Sequence, residues 1–424
     1  MAAKTAKSRM VRTCLCIDLK TFYASVECAD KGLDPFTTNL VVADPTRSEN
    51  TICLAITPAM KALGVKNRCR IRDIPAGIDY LVAMPRMHRY MEVSSQVVSI
   101  YRRFVAPADL HVYSVDECFM EAAPYLALYR TDARMLARRM IDAVRRETGI
   151  TATAGIGDNL FLAKVALDIL AKHAPDGIAQ LDQKSFRRRL WFHRPITDIW
   201  GIGPGTARRL ARMGAVDLAG VCAIAPERLR REFGKNATYL IDHAWGLEPC
   251  TVADIKAYVP RGHSLSNGQV LMRDYAADEA RTVVKEMAAE SALELFEKDL
   301  CCSGVSLYVG YAGFGGAGGS RRLPRPMASR KALTEELLDL FAVHVDERQG
   351  IRRVMLGFSG LVPASQVQPT LFDASECDDR EQRVAQAARA VRGRFGANAL
   401  LLGNSLRDEA NARERNLQVG GHRA

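Results

Sequence analysis

The distribution of apolar and polar residues over the first 175 positions predicts short strands that alternate with amphipathic helices. Strand-like runs occur at residues 13–17, 39–44, 50–57 and 150–157, and two more flank an acidic pair within residues 109–122. Helical periodicity begins near residue 21 and recurs over residues 57–65, 87–105, 132–149 and 159–174. We expect Asp158 or Asn159 to cap the last of these helices. This region is therefore predicted to be mixed α/β.

The pattern changes twice further along the chain. Residues 184–246 contain short helices separated by glycine turns, whereas residues 259–362 follow the order strand, helix, strand, strand, helix, strand. The two helices of that second region are predicted at Ala277–Lys298 and Ser329–Glu347. Residues 363–424 are polar and rich in alanine, which favours a flexible tail with one helix near residues 380–395. These changes predict several domains, and no internal repeat is visible.

Composition and charge narrow the class of partner. A chain of 424 residues is too long for a single core of ordinary size, and 48% hydrophobic with 25% charged residues is normal for a globular protein. The formal net charge is +11, and residues 184–235 alone carry 12 Lys or Arg against 4 Asp or Glu. An excess of positive charge favours a polyanionic partner, and nucleic acid is the first candidate.

The cysteines and the ends of the chain suggest a reducing compartment. The 11 cysteines are scattered, without a C-x-x-C pair or a His/Cys cluster at zinc spacing. The basic start, MAAKTAKSRMVR, is not followed by the apolar core of a signal peptide, and no apolar run approaches the roughly 18 residues needed to span a bilayer. We therefore expect a cytoplasmic protein with no membrane partner.

Three carboxylates stand where predicted strands end. Asp18 closes the apolar run CLCID, and Asp116 with Glu117 separates the two strands of HVYSVDECFMEA. If these strands are neighbours in one sheet, the three acids converge at one edge and repel one another unless a cation holds them. Hard divalent ions such as Mg²⁺ take carboxylate oxygens together with substrate phosphates. The alternative is a strand end and a solvated hairpin turn.

Aromatic and basic residues near these acids suggest a nucleotide. Phe22 and Tyr23 follow Asp18 within one turn, and one ring could lie against a sugar, where it would collide with a 2′-hydroxyl. Lys164 lies one turn into the helix that follows the glycine-rich strand end, and lysines and helix N-termini both attract phosphate. The alternatives are a core position for the aromatic rings, Phe22 above all, and a solvated lysine.

Two further motifs favour binding to a macromolecule. In DIWGIGPGTARRLARMG, three glycines form a tight turn before a basic helix, an arrangement that resembles a helix-hairpin-helix gripping a DNA phosphate. Its candidate DNA-binding residues are Gly201, Gly203, Gly205, Arg208 and Arg209. In the tail, QPTLF is similar to a short peptide ligand for a grooved partner, with Gln368, Leu371 and Phe372 as its contacts.

Taken in this order, the motifs resemble those of the Y family of translesion DNA polymerases, in its bacterial UmuC-like (ImpB/MucB/SamB) branch. The resemblance covers most of residues 13–362 and depends on D-x-x-x-F-Y-A-S-V-E from Asp18, SVDE at 114–117, LAKVALD at 162–168 and the glycine turn. It implies an α/β (α+β) multidomain fold shaped as a right hand. The implied domains are a palm (1–25 and 81–175), fingers (26–80), a helical thumb (176–250), a β-α-β-β-α-β little finger (257–362) and a tail (363–424).

The resemblance also implies roles for individual residues. Asp18, Asp116 and Glu117 match the catalytic metal-binding acids, and the backbone carbonyl of Leu19 matches an extra ligand of two Mg²⁺ ions, for which Mn²⁺ can substitute. The implied nucleotide contacts are Phe22, Tyr23 as a steric gate against ribonucleotides, and Lys61 and Lys164 at the triphosphate. The QPTLF segment matches a motif that binds the replicative sliding clamp.

Two departures from the family pattern stand out. Pro58 occupies a fingers position where many relatives have a tyrosine, so one hydroxyl contact to the triphosphate is missing. Asp158 and Asn159 stand where some relatives carry serine and basic residues that contact the template. Neither departure removes the acids.

The favoured function is error-prone, template-directed DNA synthesis past damaged bases in the SOS response, by a monomer that binds primer–template DNA, dNTP and the clamp. A non-catalytic scaffold that recruits another polymerase is one alternative, and the presence of all three acids argues against it. A nucleotide cyclase with palm-like acids is the other alternative. The glycine turn and the basic segment at 184–235 favour DNA over the cyclase.

Overall fold

The computed structural model describes residues 12–47, 49–260, 264–367 and 375–424, without the side chains of 375–379. It divides into two compact units, residues 1–258 and 259–424. Within the described ranges, every helix is too short or too polar to cross a membrane.

The first unit contains a five-stranded sheet and a smaller three-stranded sheet. Its strands are β1 (Cys14–Leu19), β2 (Leu40–Val42), β3 (Ala55–Ile56), β4 (Leu81–Ala83), β5 (Leu110–Val112), β6 (Glu117–Glu121), β7 (Ala152–Gly157) and β8 (Ile178–Leu181). The larger sheet has the order β5-β6-β1-β7-β8, and we call it the acidic sheet because β1 and β6 carry the predicted acids. The smaller sheet has the order β3-β2-β4.

The helices of this unit confirm most of the predicted periodicity. They are α1 (Phe22–Asp30), α2 (Pro58–Ala62), α3 (Met87–Tyr101), α4 (Ala123–Leu128), α5 (Ala133–Thr148), α6 (Leu160–Val165), α7 (Gln183–Leu190), α8 (Pro204–Arg212), α9 (Leu218–Ala223), α10 (Pro226–Phe233), α11 (Asn236–Ala244) and α12 (Val252–Ala257). Asn159, not Asp158, caps α6, because its side-chain oxygen accepts a hydrogen bond from the Leu162 N–H at 2.8 Å. The strand expected over 50–57 is only partly present, as β3.

Alternation along β1 gives the acidic sheet two different faces. Leu15, Ile17 and Leu19 belong to one core cluster, together with residues of α3 and α5. Cys14 and Cys16 belong to a second cluster, together with residues of α6 and the short helices that follow it. Because side chains of a strand alternate between faces, Asp18 projects on the same side as Cys14 and Cys16. The acid therefore lies on the α6 side of the sheet.

Two glycines let α6 pack directly on this face. A Cβ at Gly155 would lie 2.0 Å from the Ala163 carbonyl oxygen, and one at Gly157 would lie 2.3 Å from the Ala163 nitrogen. No larger residue fits between the strand and the helix at these positions. After α6 the helix continues as a π turn, Ala166–Leu170, and a 3₁₀ turn, Ala171–His173.

The second unit is built on a four-stranded antiparallel sheet with the order β11-β10-β12-β9. Its strands are β9 (Ser264–Tyr275), β10 (Leu300–Tyr311), β11 (Gly316–Met327), β12 (Ile351–Ser359), β13 (Val362–Pro363), β14 (Gln418–Val419) and β15 (His422–Arg423). Its helices are α13 (Ala277–Glu297), α14 (Arg330–His344), α15 (Ser375–Phe395) and α16 (Ala412–Arg415). From β9 to β12 this is the predicted β-α-β-β-α-β order. One face of the sheet packs against α13 and α14, and we call it the open sheet because its other face is exposed.

The end of the chain differs from the flexible tail that the composition suggested. The helix expected near 380–395 is present as part of α15, but the residues after it pack against α13. The backbone N–H groups of Asn411 and Ala412 donate to one carboxylate oxygen of buried Glu286, at 3.0 and 3.2 Å. Arg392 pairs with Glu290 at 2.9 Å. Polar contacts along α13 therefore hold this segment in place, which its low hydrophobicity did not indicate.

Candidate active site

The three predicted acids meet at one end of β1 and β6. The register of the two strands sets Asp18 directly opposite Glu117. The Leu19 N–H donates to the Asp116 carbonyl at 2.9 Å, while the N–H groups of Tyr113 and Ser114 both donate to the Glu117 carbonyl. The acidic pair therefore lies at a tight turn between strands, so the hairpin alternative and the convergence of acids describe the same feature.

The electrostatic environment of Asp18 disfavours its charged form. The pKa of Asp18 is raised to about 7, chiefly by burial and also by the nearby charges of Asp116 and Glu117, against the opposing effect of Lys172. The side chain of Asp18 is still 20% exposed, so an ion can reach it. Asp116 accepts a hydrogen bond from the Ser114 hydroxyl at 2.6 Å. Repulsion among these carboxylates is the condition that a bound divalent cation would relieve.

Glu117 is held by a buried lysine. The Lys164 ammonium donates to Glu117 Oε2 at 2.8 Å, and the Cys16 thiol donates to Oε1 at 3.0 Å. Burial alone would lower the pKa of Lys164, but the hydrogen bond and charge of Glu117, with Asp168, raise it instead. Lys164 is thus a fixed cation, with only 9% of its side chain exposed.

A second lysine, which the sequence analysis missed, is better exposed to a ligand. Lys172 lies 3.9 Å from Asp18 and donates to Asp168 at 3.0 Å, and its side chain is 46% exposed. The signal that could have found it is its spacing, since Lys164, Asp168 and Lys172 recur every four residues along one helix. The π turn between them obscures any simple count of helical turns.

The three acids supply the type of ligand that a hard divalent cation prefers. Asp18, Asp116 and Glu117 offer oxygen donors of the type that Mg²⁺ prefers. Among the described residues, no three His, Cys, Asp or Glu side chains form a ready ligand cluster. Glu117 faces Lys164 instead, so a cation at this edge would have to share or replace that partner.

The aromatic pair after Asp18 divides between core and surface. Phe22 is 3% exposed, so its side chain belongs to the core and only its backbone could contact a nucleotide. The Tyr23 ring packs on Tyr90 with centroids 4.6 Å apart. Burial raises the pKa of Tyr23, and the charge of Asp116 adds to this against Arg68. Tyr23 therefore lies within electrostatic range of the acids.

Lys61, the other predicted triphosphate contact, interacts electrostatically with Asp18. Burial lowers the pKa of Lys61, repulsion from Lys172 adds to this, and attraction to Asp18 opposes it. Lys61 and Lys172 are thus two cations whose charges act on Asp18. Pro58 occupies the first turn of α2, which Thr57 caps, so proline costs the helix no hydrogen bond there. The position has a structural use although it lacks a hydroxyl.

The glycine turn is open, but its two arginines differ. Gly201 has φ of 88°, a left-handed conformation that glycine adopts readily, and no atom lies within 4 Å of a Cβ added at Gly201, Gly203 or Gly205. Arg208 is exposed. Arg209 pairs with Glu232 at 2.7 Å and covers the Phe233 ring at 4.3 Å. These contacts within the protein make Arg209 less available than Arg208 to bind DNA. The predicted clamp contacts, Gln368, Leu371 and Phe372, lie outside the described residues.

Comparisons with known proteins show the family to which the chain is related. The model of the impB/mucB/samB family matches residues 17–168, and that of its C-terminal domain matches residues 263–371. Of curated proteins, UvrX of Bacillus subtilis (strain 168), named for UV-damage repair, is 29% identical over 97% of each chain. DNA polymerase IV 2 of the same organism is 28% identical over 96% of this chain and 97% of its own length.

A solved structure supports the fold independently. The Y-family DNA polymerase chimera Dbh-Dpo4(243-245)-Dbh aligns with a TM-score of 0.63 at 20% identity, covering 83% of this chain and 99% of the chimera. The two family models together span more than half of the chain. The chain therefore belongs to the impB/mucB/samB family of Y-family DNA polymerases. It is a DNA-directed DNA polymerase of the class that serves DNA repair and damage bypass.

Proposed function

We propose that the chain carries out error-prone translesion synthesis, adding dNTPs to a primer 3′-hydroxyl by two-cation nucleotidyl transfer. The observation that carries this proposal is the register that sets Asp18 opposite Glu117, with Asp116 at the adjoining turn. Two Mg²⁺ ions, or Mn²⁺ in their place, would activate the 3′-hydroxyl and offset charge on the leaving pyrophosphate. Asp18, Asp116 and Glu117, together with the Leu19 carbonyl, would hold these ions.

The lysines take different parts in this proposal. Lys172, which lies 3.9 Å from Asp18, and Lys61, whose charge interacts with Asp18, would bind the triphosphate and offset its charge. Lys164 was expected in that role from the family pattern, but its buried pairing with Glu117 better supports a part in orienting that carboxylate. A triphosphate contact by Lys164 would require it to leave a 2.8 Å ion pair.

Tyr23 is proposed as the steric gate against ribonucleotides. Its ring is fixed against Tyr90 while it remains near Asp116. Replacing Tyr23 by alanine should raise ribonucleotide incorporation relative to dNTP by about tenfold or more, because a steric exclusion is lost. Unchanged discrimination in single-nucleotide insertion assays would remove Tyr23 from this role.

DNA contacts are proposed for both units. The glycine turn at Gly201, Gly203 and Gly205 would grip a backbone phosphate with Arg208, whereas Arg209 contributes mainly to the stability of its own helices. In these terms residues 1–25 and 81–175 are the palm, 26–80 the fingers, 176–250 the thumb and 257–362 the little finger. Residues 363–424 would follow as a clamp-binding extension through Gln368–Phe372. We propose that the chain acts as a monomer in the cytoplasm during the SOS response.

The test is primer extension by the purified full chain on undamaged and lesion-containing templates, with Mg²⁺ and with the sliding clamp added or omitted. Extension should require the divalent ion and fall to background in Asp116→Ala. Full activity of that variant would overturn the assignment of the acids. Clamp stimulation that survives substitution of Gln368, Leu371 and Phe372 by alanine would overturn the clamp motif.

A further inference from the structure

A chain of ion pairs connects two of the proposed metal ligands through a carboxylate that belongs to neither strand. Asp168, in the π turn after α6, contacts Lys164 at 3.0 Å and Lys172 at 3.0 Å. Lys164 continues to Glu117 at 2.8 Å, and Lys172 approaches Asp18 at 3.9 Å. One aspartate therefore lies between two lysines, each of which faces one acid of the site.

Because this series of ion pairs is largely buried, the loss of any one pair should be costly. Glu117 and Lys164 are each 7% exposed as residues, so neither charge is solvated well enough to stand alone. The Asp168 side chain is 21% exposed, an intermediate position between the buried pair and half-exposed Lys172. Buried charges of this kind are costly unless compensated, and removing one partner strands the other.

The two partners of Lys164 offer it two arrangements. When Glu117 carries no cation, the ammonium neutralises Glu117. When Glu117 is occupied by a divalent cation, a second positive charge on the same oxygen is repelled, and Asp168 is already in contact to receive it. The ammonium then needs no exposure to water and no long movement, because both carboxylates lie within 3.1 Å of it in this structure.

We propose that Lys164 is an internal counter-ion that competes with the divalent cation for Glu117, and that Asp168 is the positioning residue that draws Lys164 away. This inference rests on the proposed function, since it concerns how the same acids accept a cation. It gives Lys164 and Asp168 opposite effects on cation affinity. A merely structural role would instead make both substitutions weaken the site.

The test measures Mn²⁺ binding by isothermal titration calorimetry on the metal-free full chain, with neither DNA nor dNTP. Lys164→Gln should bind Mn²⁺ more tightly than wild type, and Asp168→Asn more weakly, each by about fivefold for loss of one partly screened charge. In the Lys164→Gln background, Asp168→Asn should cost less than about twofold, because its effect acts largely through Lys164. Equal costs in both backgrounds would contradict the coupling.

Matched controls separate this effect from general changes of charge. Lys31→Gln removes a lysine paired four residues away with buried Glu27, and Asp176→Asn removes an aspartate paired with Arg134 and Arg138. Both should leave Mn²⁺ affinity within about twofold of wild type. Shifts as large as those of the site variants would assign the result to net charge and overturn the proposal.

Folding and function are controlled separately. If thermal unfolding shows that Lys164→Gln does not fold, Lys164→Arg replaces it. Because Lys164→Arg keeps the positive charge, it should bind Mn²⁺ within about twofold of wild type. Asp168→Asn should weaken Mn²⁺ binding both in wild type and in the Lys164→Arg background. Tighter binding by Asp168→Asn would overturn the proposal. Absence of Mn²⁺ binding by folded wild type would instead contradict the proposed function, so the two failures are distinguishable.

Discussion

The acidic sheet and the open sheet differ in the length of their strands and in how far their faces are buried. Strands of the acidic sheet are three to six residues long, and β7 is buried along its whole length. Three strands of the open sheet have 12 residues each and the fourth has nine. The exposed face of this sheet carries Tyr308, Met355 and Val270, which are 41, 43 and 57% exposed. The short sheet is enclosed on both faces, whereas the long sheet leaves one face free.

The charges follow the same division. On the acidic sheet, Asp18 and Glu117 lie opposite each other beneath α6, where burial makes the ionisation of Asp18 costly. On the open sheet, Arg322 and Arg353 are exposed on the free face, opposite Gly304 and Gly310. Buried, mutually repelling acids favour a small cation, while exposed arginines among small residues favour an extended polyanion. The comparison teaches that burial, more than strand pairing, separates a site for chemistry from a surface for binding.

The largest expected difference between the sheets is the effect of removing one carboxylate charge from each. Asp18→Asn should lower primer extension by about 10³-fold or more, since several kcal/mol of charge stabilisation are at stake. Its unfolding temperature without metal should stay equal or rise, because burial already disfavours the charged form. On the open-sheet unit, Asp274→Asn removes an exposed partner of Arg352 and should change extension less than about twofold.

The next largest difference between the two sheets is expected in how well each tolerates an added methyl group. Gly155→Ala in β7 would press a methyl group against the Ala163 carbonyl and the Leu167 nitrogen, at 2.0 and 2.4 Å. We expect the free energy of unfolding to fall by about 2 kcal/mol or more, since the backbone of α6 must shift. In Gly268→Ala in β9, the new methyl group meets the flexible Met355 side chain at 3.2 Å and the Val354 carbonyl oxygen at an ordinary contact distance of 3.7 Å, so the free energy of unfolding should change by under about 1 kcal/mol. Equal losses in chemical denaturation would erase this contrast between the sheets.

The smallest effects are expected from the exposed arginines of the open sheet. Arg322→Ala and Arg353→Ala should each weaken binding to primer–template DNA modestly and lower the slope of log affinity against log salt by about 1. Mn²⁺ affinity should not change, because neither substitution alters a proposed metal ligand. Fluorescence anisotropy across a salt series measures the slope. A slope that matches wild type in both variants would remove this face from the DNA contacts.

Part of the site could be foreseen because the signals are local. An apolar run that ends in Asp18, and a β-forming segment interrupted by Asp116 and Glu117, indicate strand ends in any context. Antiparallel pairing then sets Asp18 opposite Glu117. The β-α-β-β-α-β order of the second unit was equally visible, since its two long helices separate strands with clear turn signals.

Other features depended on contacts between distant residues. The sequence does not indicate that Arg209 is bound to Glu232, or that residues after α15 pack on α13 through Glu286. The short strand β8 and the exposure of Lys172 beside Asp18 were also missed. In each case the deciding partner lies far away in the chain or is reached only through an irregular turn of helix.

The sequence by itself therefore determined the residue types of the site, the strands that carry them and the order of the two units. Only the tertiary structure decided which charges are buried together: Lys164 pairs with Glu117, and Asp168 lies between two lysines. It also decided that α6 packs closely on β7, where two glycines leave room for it. The reason is that periodicity and motifs are local properties of the chain. The free energy of a charge depends on every group packed around it, and that packing exists only in the folded chain.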